Sequence, residues 1–171
     1  AQSGAQTIGG WVTIGTDNSI LIAAPVAEMG QGVFTTIPMI VAEELDADWS
    51  KVKTYFPAPI PGLFGNPRFG GILHVVASMA TTGYWDKVRM HGAQARRVLM
   101  QAATDQWGVP LSELKTEPSV VVHAPSGRKL TYGEIAKFAK VPAELPKLTE
   151  ADLKKPADFR IIGKDIARLD I

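Results

Sequence analysis

Met29-Gly30-Gln31-Gly32 stands directly before an apolar run that begins Val33-Phe34-Thr35-Thr36. Glycine costs backbone entropy. Two of them around one glutamine mark either a tight turn or a place where something must come close to the main chain. A helix that starts after such a loop offers N–H groups without intrahelical partners, and its macrodipole favours an anion there. Gln31 adds an amide that both donates and accepts. The pattern suits a phosphate, the edge of a pterin or an oxo group. On spacing alone, a plain loop whose glycines only turn the chain is the commoner reading.

Other candidates carry less. His74, His91 and His123 share no metal-ligand spacing and read as scattered core or surface residues. Glu43-Glu44 and Asp46-Ala47-Asp48 make an acidic helix end. Neighbouring helix positions do not face one point, so a solvated end is expected rather than a metal site. There is no Gly-x-Ser-x-Gly, no P-loop and no nucleophile–base pair, so no catalytic residue and no metal ligand is assigned. Trp49, Trp85 and Trp107 are expected to fill the core beside helix ends. Cysteine is absent, which excludes a disulfide framework, a thiolate zinc site and a Cys-held iron–sulfur cluster.

The elements that must position the glycine loop follow from pattern. WVTIG (11–15) and ILIAA (20–24) alternate as strands around the turn residues Thr16-Asp17-Asn18-Ser19, which predicts a hairpin. Thr36 reads as the N-cap of a helix with Pro38 just inside it and an end near Asp46. KVKTYF (51–56) reads as a strand, and the Pro- and Gly-rich stretch 57–71 as a long functional or mobile loop. A helix over roughly 80–107 carries a stripe of small residues through Gly92 and Ala95, and Gly108 ends it. Leu111–Leu114 suggests one helical turn. VVVHA and KLTY pair around Pro125–Arg128, and Thr131 with Glu134 forms a capping box. FRIIG (159–163) suggests a last strand. The expected fold is α+β: a β-hairpin and short strands packed on two main helices, one of them long.

Of the 171 residues 46% are hydrophobic and 20% charged, with net charge +1. That is ordinary for a globular chain, and too balanced to argue for nucleic acid or an acidic membrane surface. No apolar run is long enough to span a bilayer.

The segment AEMGQGVFTTIPMIVAEELDADWSKVK resembles the molybdopterin-binding subunit of xanthine dehydrogenase-type molybdenum hydroxylases. It is most similar to the branch of isoquinoline 1-oxidoreductase beta subunits and membrane-associated aldehyde dehydrogenases. The likeness continues through NPRFGG, WDKVRMHGAQARRVLMQAA, WGV, PSGRKLTYGEIA and FRIIGKDIARLD, and so covers most of the chain. It implies that Met29, Gly30, Gln31, Gly32 and Thr35 line the molybdopterin cofactor, with Gln31 and the loop main chain bonding its pterin side. Where the family usually has Gly-Gly-Ser-Thr-Ser, this chain has Val76-Ala77-Ser78-Met79-Ala80. Ser78 is the retained candidate. Phe34 stands where the family often has histidine, so the cofactor would meet a more apolar wall with fewer donors.

The resemblance further implies that residues 1–139 form the cofactor-binding-type domain and 140–171 an irregular connection toward a following domain. The chain would be the N-terminal portion of a large subunit and inactive by itself. Such a subunit oxidises an aldehyde or an N-heteroaromatic carbon with water as the oxygen source. Its implied partners are the remaining molybdopterin-binding domains and an iron–sulfur electron-transfer subunit, and its implied location is the periplasm. A different reading is a stand-alone, non-catalytic interaction module that keeps the scaffold without the cofactor. A third is a generic phosphate-binding α/β domain, which requires that phosphate protect the Gly30–Gly32 amides.

Overall fold

A computed structural model describes residues 4–171. The first sheet has strands β1 (Gln6–Ile8), β2 (Val12–Ile14), β3 (Ile20–Ala23) and β4 (Val52–Tyr55), in that order. β1, β2 and β3 pair antiparallel, and β3 pairs parallel with β4. A parallel pair needs a crossover. Helix α1 (Val33–Leu45) supplies it, with the glycine loop as its entry.

The alternation of side chains sets the core face. Val12, Ile14, Ile20 and Ile22 are fully buried, while Leu21 and Lys53 point outward. The hairpin turn is made as the residue types suggest: Asp17 accepts the N–H of Ser19 at 3.0 Å, and Asn18 takes φ 69. One-turn helices α2 (Pro61–Phe64) and α3 (Met79–Thr82) precede the long helix α4 (Trp85–Trp107). A second, antiparallel sheet of β5 (Leu114–Glu117), β6 (Val120–His123) and β7 (Arg128–Thr131) leads into α5 (Tyr132–Ala136). Thr131 and Glu134 form the expected capping box. The architecture is α+β.

Helices α1 and α4 cross closely because Gly92 has no side chain. A Cβ there would stand 2.4 Å from the Val41 carbonyl oxygen. This close approach fixes the C-terminal half of α1, around Val41 and Glu44.

Several expectations need correction. Helix α1 begins at Val33 with Gly32 as N-cap, so Thr36 is not the cap and its hydroxyl bonds the Gly32 carbonyl at 3.0 Å. Pro38 consequently lies inside the helix. Trp49, Trp85 and Trp107 are only half-buried, and the tryptophan of the core is Trp11, edge-on to Phe64 and stacked on His91. Residues 114–117 extend as a strand after the turn at Leu111–Glu113. FRIIG forms no strand.

The largest correction concerns the acidic helix end. Glu43 and Glu44 are fully buried and Asp46 is nearly so. The Glu43 carboxylate accepts the successive N–H groups of Arg160, Ile161 and Ile162 at 3.0, 2.6 and 3.0 Å, and the Lys154 ammonium at 3.1 Å. Glu44 accepts Arg89 Nε at 2.8 Å and the Lys154 N–H at 3.0 Å. Asp46 takes Lys154 Nζ at 2.8 Å and the Arg160 guanidinium. FRIIG spends its N–H groups on a carboxylate rather than on a neighbouring strand. Residues 140–171 are irregular, yet they lie back on α1 through these contacts.

Candidate functional site

The glycine loop is shaped by a carboxylate that sequence reasoning missed. Glu28 Oε1 accepts the N–H groups of Gly30 and Gly32 at 2.8 and 3.0 Å, and Oε2 accepts that of Phe34 at 2.9 Å. It is the acceptor that the start of α1 needs, reaching in from upstream of the N-cap. These bonds, that from Phe34 foremost, hold its carboxyl below the usual pKa. The available signal was an acidic residue just before a helix start, where negative charge is favoured.

Gln31 folds onto its own loop: its Oε1 accepts the Met29 N–H at 2.6 Å and its Nε2 donates to the Ala27 carbonyl at 2.8 Å. Gly30 and Gly32 take φ 99 and 83, which only glycine adopts without strain. A Cβ added at either would meet nothing within 4 Å. The main chain therefore faces open space along an exposed lip, with Met29 71% exposed beside it.

Across from the lip runs Val75–Ala80. Met29 and Gln31 on one side and these residues on the other border an open cleft of about 400 Å³. The fold thus brings together Met29, Gln31 and Ser78, three of the residues singled out by the resemblance. Ser78 precedes α3 but its hydroxyl does not cap it. Phe34 is stacked near Phe56, with ring centroids 6.4 Å apart. Thr35 is differently engaged. It is buried, donates to Asp170 at 2.7 Å and accepts the Leu169 N–H at 2.9 Å.

Ala77 and Ser78 both take left-handed backbone, φ 53 and 56. Each non-glycine residue in that region costs roughly 1–2 kcal/mol. Ala77→Gly is therefore expected to stabilise the protein by about 0.5–1 kcal/mol after the entropy of the added glycine is counted. A urea-unfolding midpoint that does not rise would contradict the strain.

The arrangement selects among ligand chemistries. The amides of Gly30, Gly32 and Phe34 are already spent on Glu28, whose charge also opposes a second anion. The loop is not a phosphate cradle. What remains outward is a glycine main chain, the second N–H of the exposed Gln31 amide, a hydroxyl at Ser78 and apolar contact from Met29, Val75, Val76 and Met79. That set fits the edge of a flat, polar group held from one side, with the other walls supplied from elsewhere.

The lip borders its cleft from one side and does not enclose it. Residues 1–160 match the molybdopterin cofactor-binding domain, and the chain belongs to that family. The isoquinoline 1-oxidoreductase beta subunit of Brevundimonas diminuta is 36% identical over 191 aligned residues, which cover 94% of this chain and 24% of that protein. A nicotinate dehydrogenase subunit from Pseudomonas putida is 27% identical, over 94% of this chain and 13% of that one. The chain thus spans a quarter or less of the curated relatives it matches. Quinoline 2-oxidoreductase from Pseudomonas putida 86 shares the fold over 74% of this chain and 15% of its own, with TM-score 0.54 and 20% identity.

Proposed function

We propose that this chain forms one wall of the molybdopterin site in a molybdenum hydroxylase large subunit. The whole enzyme oxidises an aldehyde or an N-heteroaromatic carbon and passes electrons to an iron–sulfur partner subunit. It works in the periplasm, and this chain by itself is inactive. The observation that carries the reading is the meeting of the glycine lip with Ser78 across one open cleft.

When bound, the cofactor supplies the redox chemistry, with water as the source of oxygen. The chain's own residues position it. Gln31 presents the second N–H of its amide, the bare main chain at Gly30 and Gly32 allows close approach, and Ser78 offers a hydroxyl. Met29, Val75 and Val76 keep water from that edge.

A non-catalytic interaction module is the competing reading. It is favoured by one observation: the oxygen and one N–H of Gln31 and the Gly30 and Gly32 amides are bonded within the loop. The two separate on Gln31→Ala in the assembled, cofactor-loaded enzyme. A cofactor-lining Gln31 predicts a fall in kcat of roughly 10-fold or more, about 1.4 kcal/mol or above, with unfolding stability lower by no more than about 1 kcal/mol. Unchanged turnover with lower stability would favour the module.

A further inference from the structure

The end of the described chain returns to the back of the glycine lip. The Asp170 side chain is only 5% exposed. Its Oδ1 accepts the Thr35 hydroxyl at 2.7 Å and Arg168 Nε at 3.1 Å, and Arg168 also pairs with its second oxygen. The Leu169 N–H donates to the same Thr35 hydroxyl at 2.9 Å. Thr35 lies in the first turn of α1 and its N–H bonds the Gly32 carbonyl at 3.1 Å. Glu28, which gathers the loop amides, is close enough to Arg168 and Asp170 for their charges to act on one another.

A carboxylate buried among polar groups is costly unless its bonds are complete. This one is complete only when Thr35, and therefore the first turn of α1, occupies one place. Glu28 and Gln31 give the two-glycine loop its shape, but every bond they make stays within residues 27–34, so the loop's place in the molecule follows the first turn of α1. The buried bonds of Glu43 hold the opposite end of α1 and say nothing of where the lip stands.

We propose that Asp170, oriented by Arg168 and bonded to Thr35, is a positioning residue for the glycine lip. It sets where the main chain of residues 29–32 meets the cleft. This inference rests on the reading that the lip lines the cofactor, and it assigns Thr35 to the support of the lip rather than to cofactor contact.

The test uses the full-length, cofactor-loaded protein and the variants Thr35→Val, Asp170→Asn and Thr35→Ser, with Gln31→Ala as reference. Two properties are read: amide hydrogen exchange of residues 30–34 against residues 40–45, and the line shape of the molybdenum(V) EPR signal. Positioning predicts that Thr35→Val and Asp170→Asn speed exchange at 30–34 by at least about tenfold while 40–45 stays protected. Both should alter the EPR line shape, and Thr35→Ser, which keeps the hydroxyl, should restore both. Exchange that is unchanged, or that rises equally along all of α1, would overturn the inference and leave a purely structural clasp. An altered spectrum in Gln31→Ala without any local change in Asp170→Asn overturns positioning alone. Faster local exchange with no spectral change in any variant, Gln31→Ala included, overturns the cofactor-lining reading on which it rests.

Discussion

Glu43→Ala is expected to destabilise the protein by about 3–5 kcal/mol, the cost of breaking a buried ion pair by removing one partner. The substitution leaves the Lys154 ammonium without one of its two carboxylates and orphans three successive main-chain N–H groups at 160–162. Such a loss is a large share of the roughly 5–15 kcal/mol that holds a typical domain. Glu43→Gln keeps the volume and one carbonyl acceptor, so it should cost clearly less. Urea unfolding of the two variants checks this. A loss below about 1 kcal/mol for the alanine variant would mean that the cluster behaves like a solvated surface pair.

The same cluster has a pH signature. Burial works to raise the pKa of Glu43, but the N–H groups of Ile162, Ile161 and Arg160 outweigh it and hold it below its ordinary 4.5. Asp46 is likewise raised by burial and brought below its ordinary 3.8 chiefly by Lys154. A depressed carboxylate contributes stability that is full above its ordinary value and lost as pH falls through the lowered one. Acid should therefore loosen the contacts of the 154–162 segment with α1 below about pH 4.5.

His91 gives the second large effect, in a different window. Its ring stacks on Trp11 with centroids 5.0 Å apart, and its buried Nδ1 has no partner among the described residues. Burial, helped by the nearby Lys87 charge, pushes its pKa down from 6.5 to about 4. The unfolded chain takes up this proton at higher pH than the folded one. Stability is thus full above pH 6.5 and falls as pH drops toward 4, by about 3 kcal/mol at 1.36 kcal/mol per pH unit. His91→Phe keeps the stack and removes the titration. Its unfolding free energy should stay flat between pH 6.5 and 4.5, then fall only where the carboxylates protonate. An unchanged acid slope in this variant would show that His91 is solvated or paired.

Much of the fold was legible locally. The hairpin, the end of the long helix at Gly108 and the Thr131–Glu134 capping box rest on residues a few positions apart, and they form as their types dictate. The glycine loop was legible too, because Gly30 and Gly32 are the residue type that a positive φ selects. What failed were features whose partners lie far along the chain. Glu43 and Asp46 look solvated until Lys154 and Arg160, more than a hundred residues later, are placed on them. FRIIG has the β-branched run of a strand, yet its amides are claimed by a carboxylate. Thr36 resembles an N-cap by type, whereas Glu28 does that work through a long side chain from outside the usual capping position. The resemblance singled out both Thr35 and Gln31, but only the fold reveals that the first faces Asp170 and the second borders the cleft.

The most direct measurement is the structure of the full-length subunit with its cofactor bound, read at Gln31. The account predicts a cofactor atom within hydrogen-bond reach of the Gln31 amide or the Gly30–Gly32 main chain, at about 3 Å, with Ser78 across the same cleft. A lip covered by other protein, with no cofactor atom near Met29–Gly32, would contradict it.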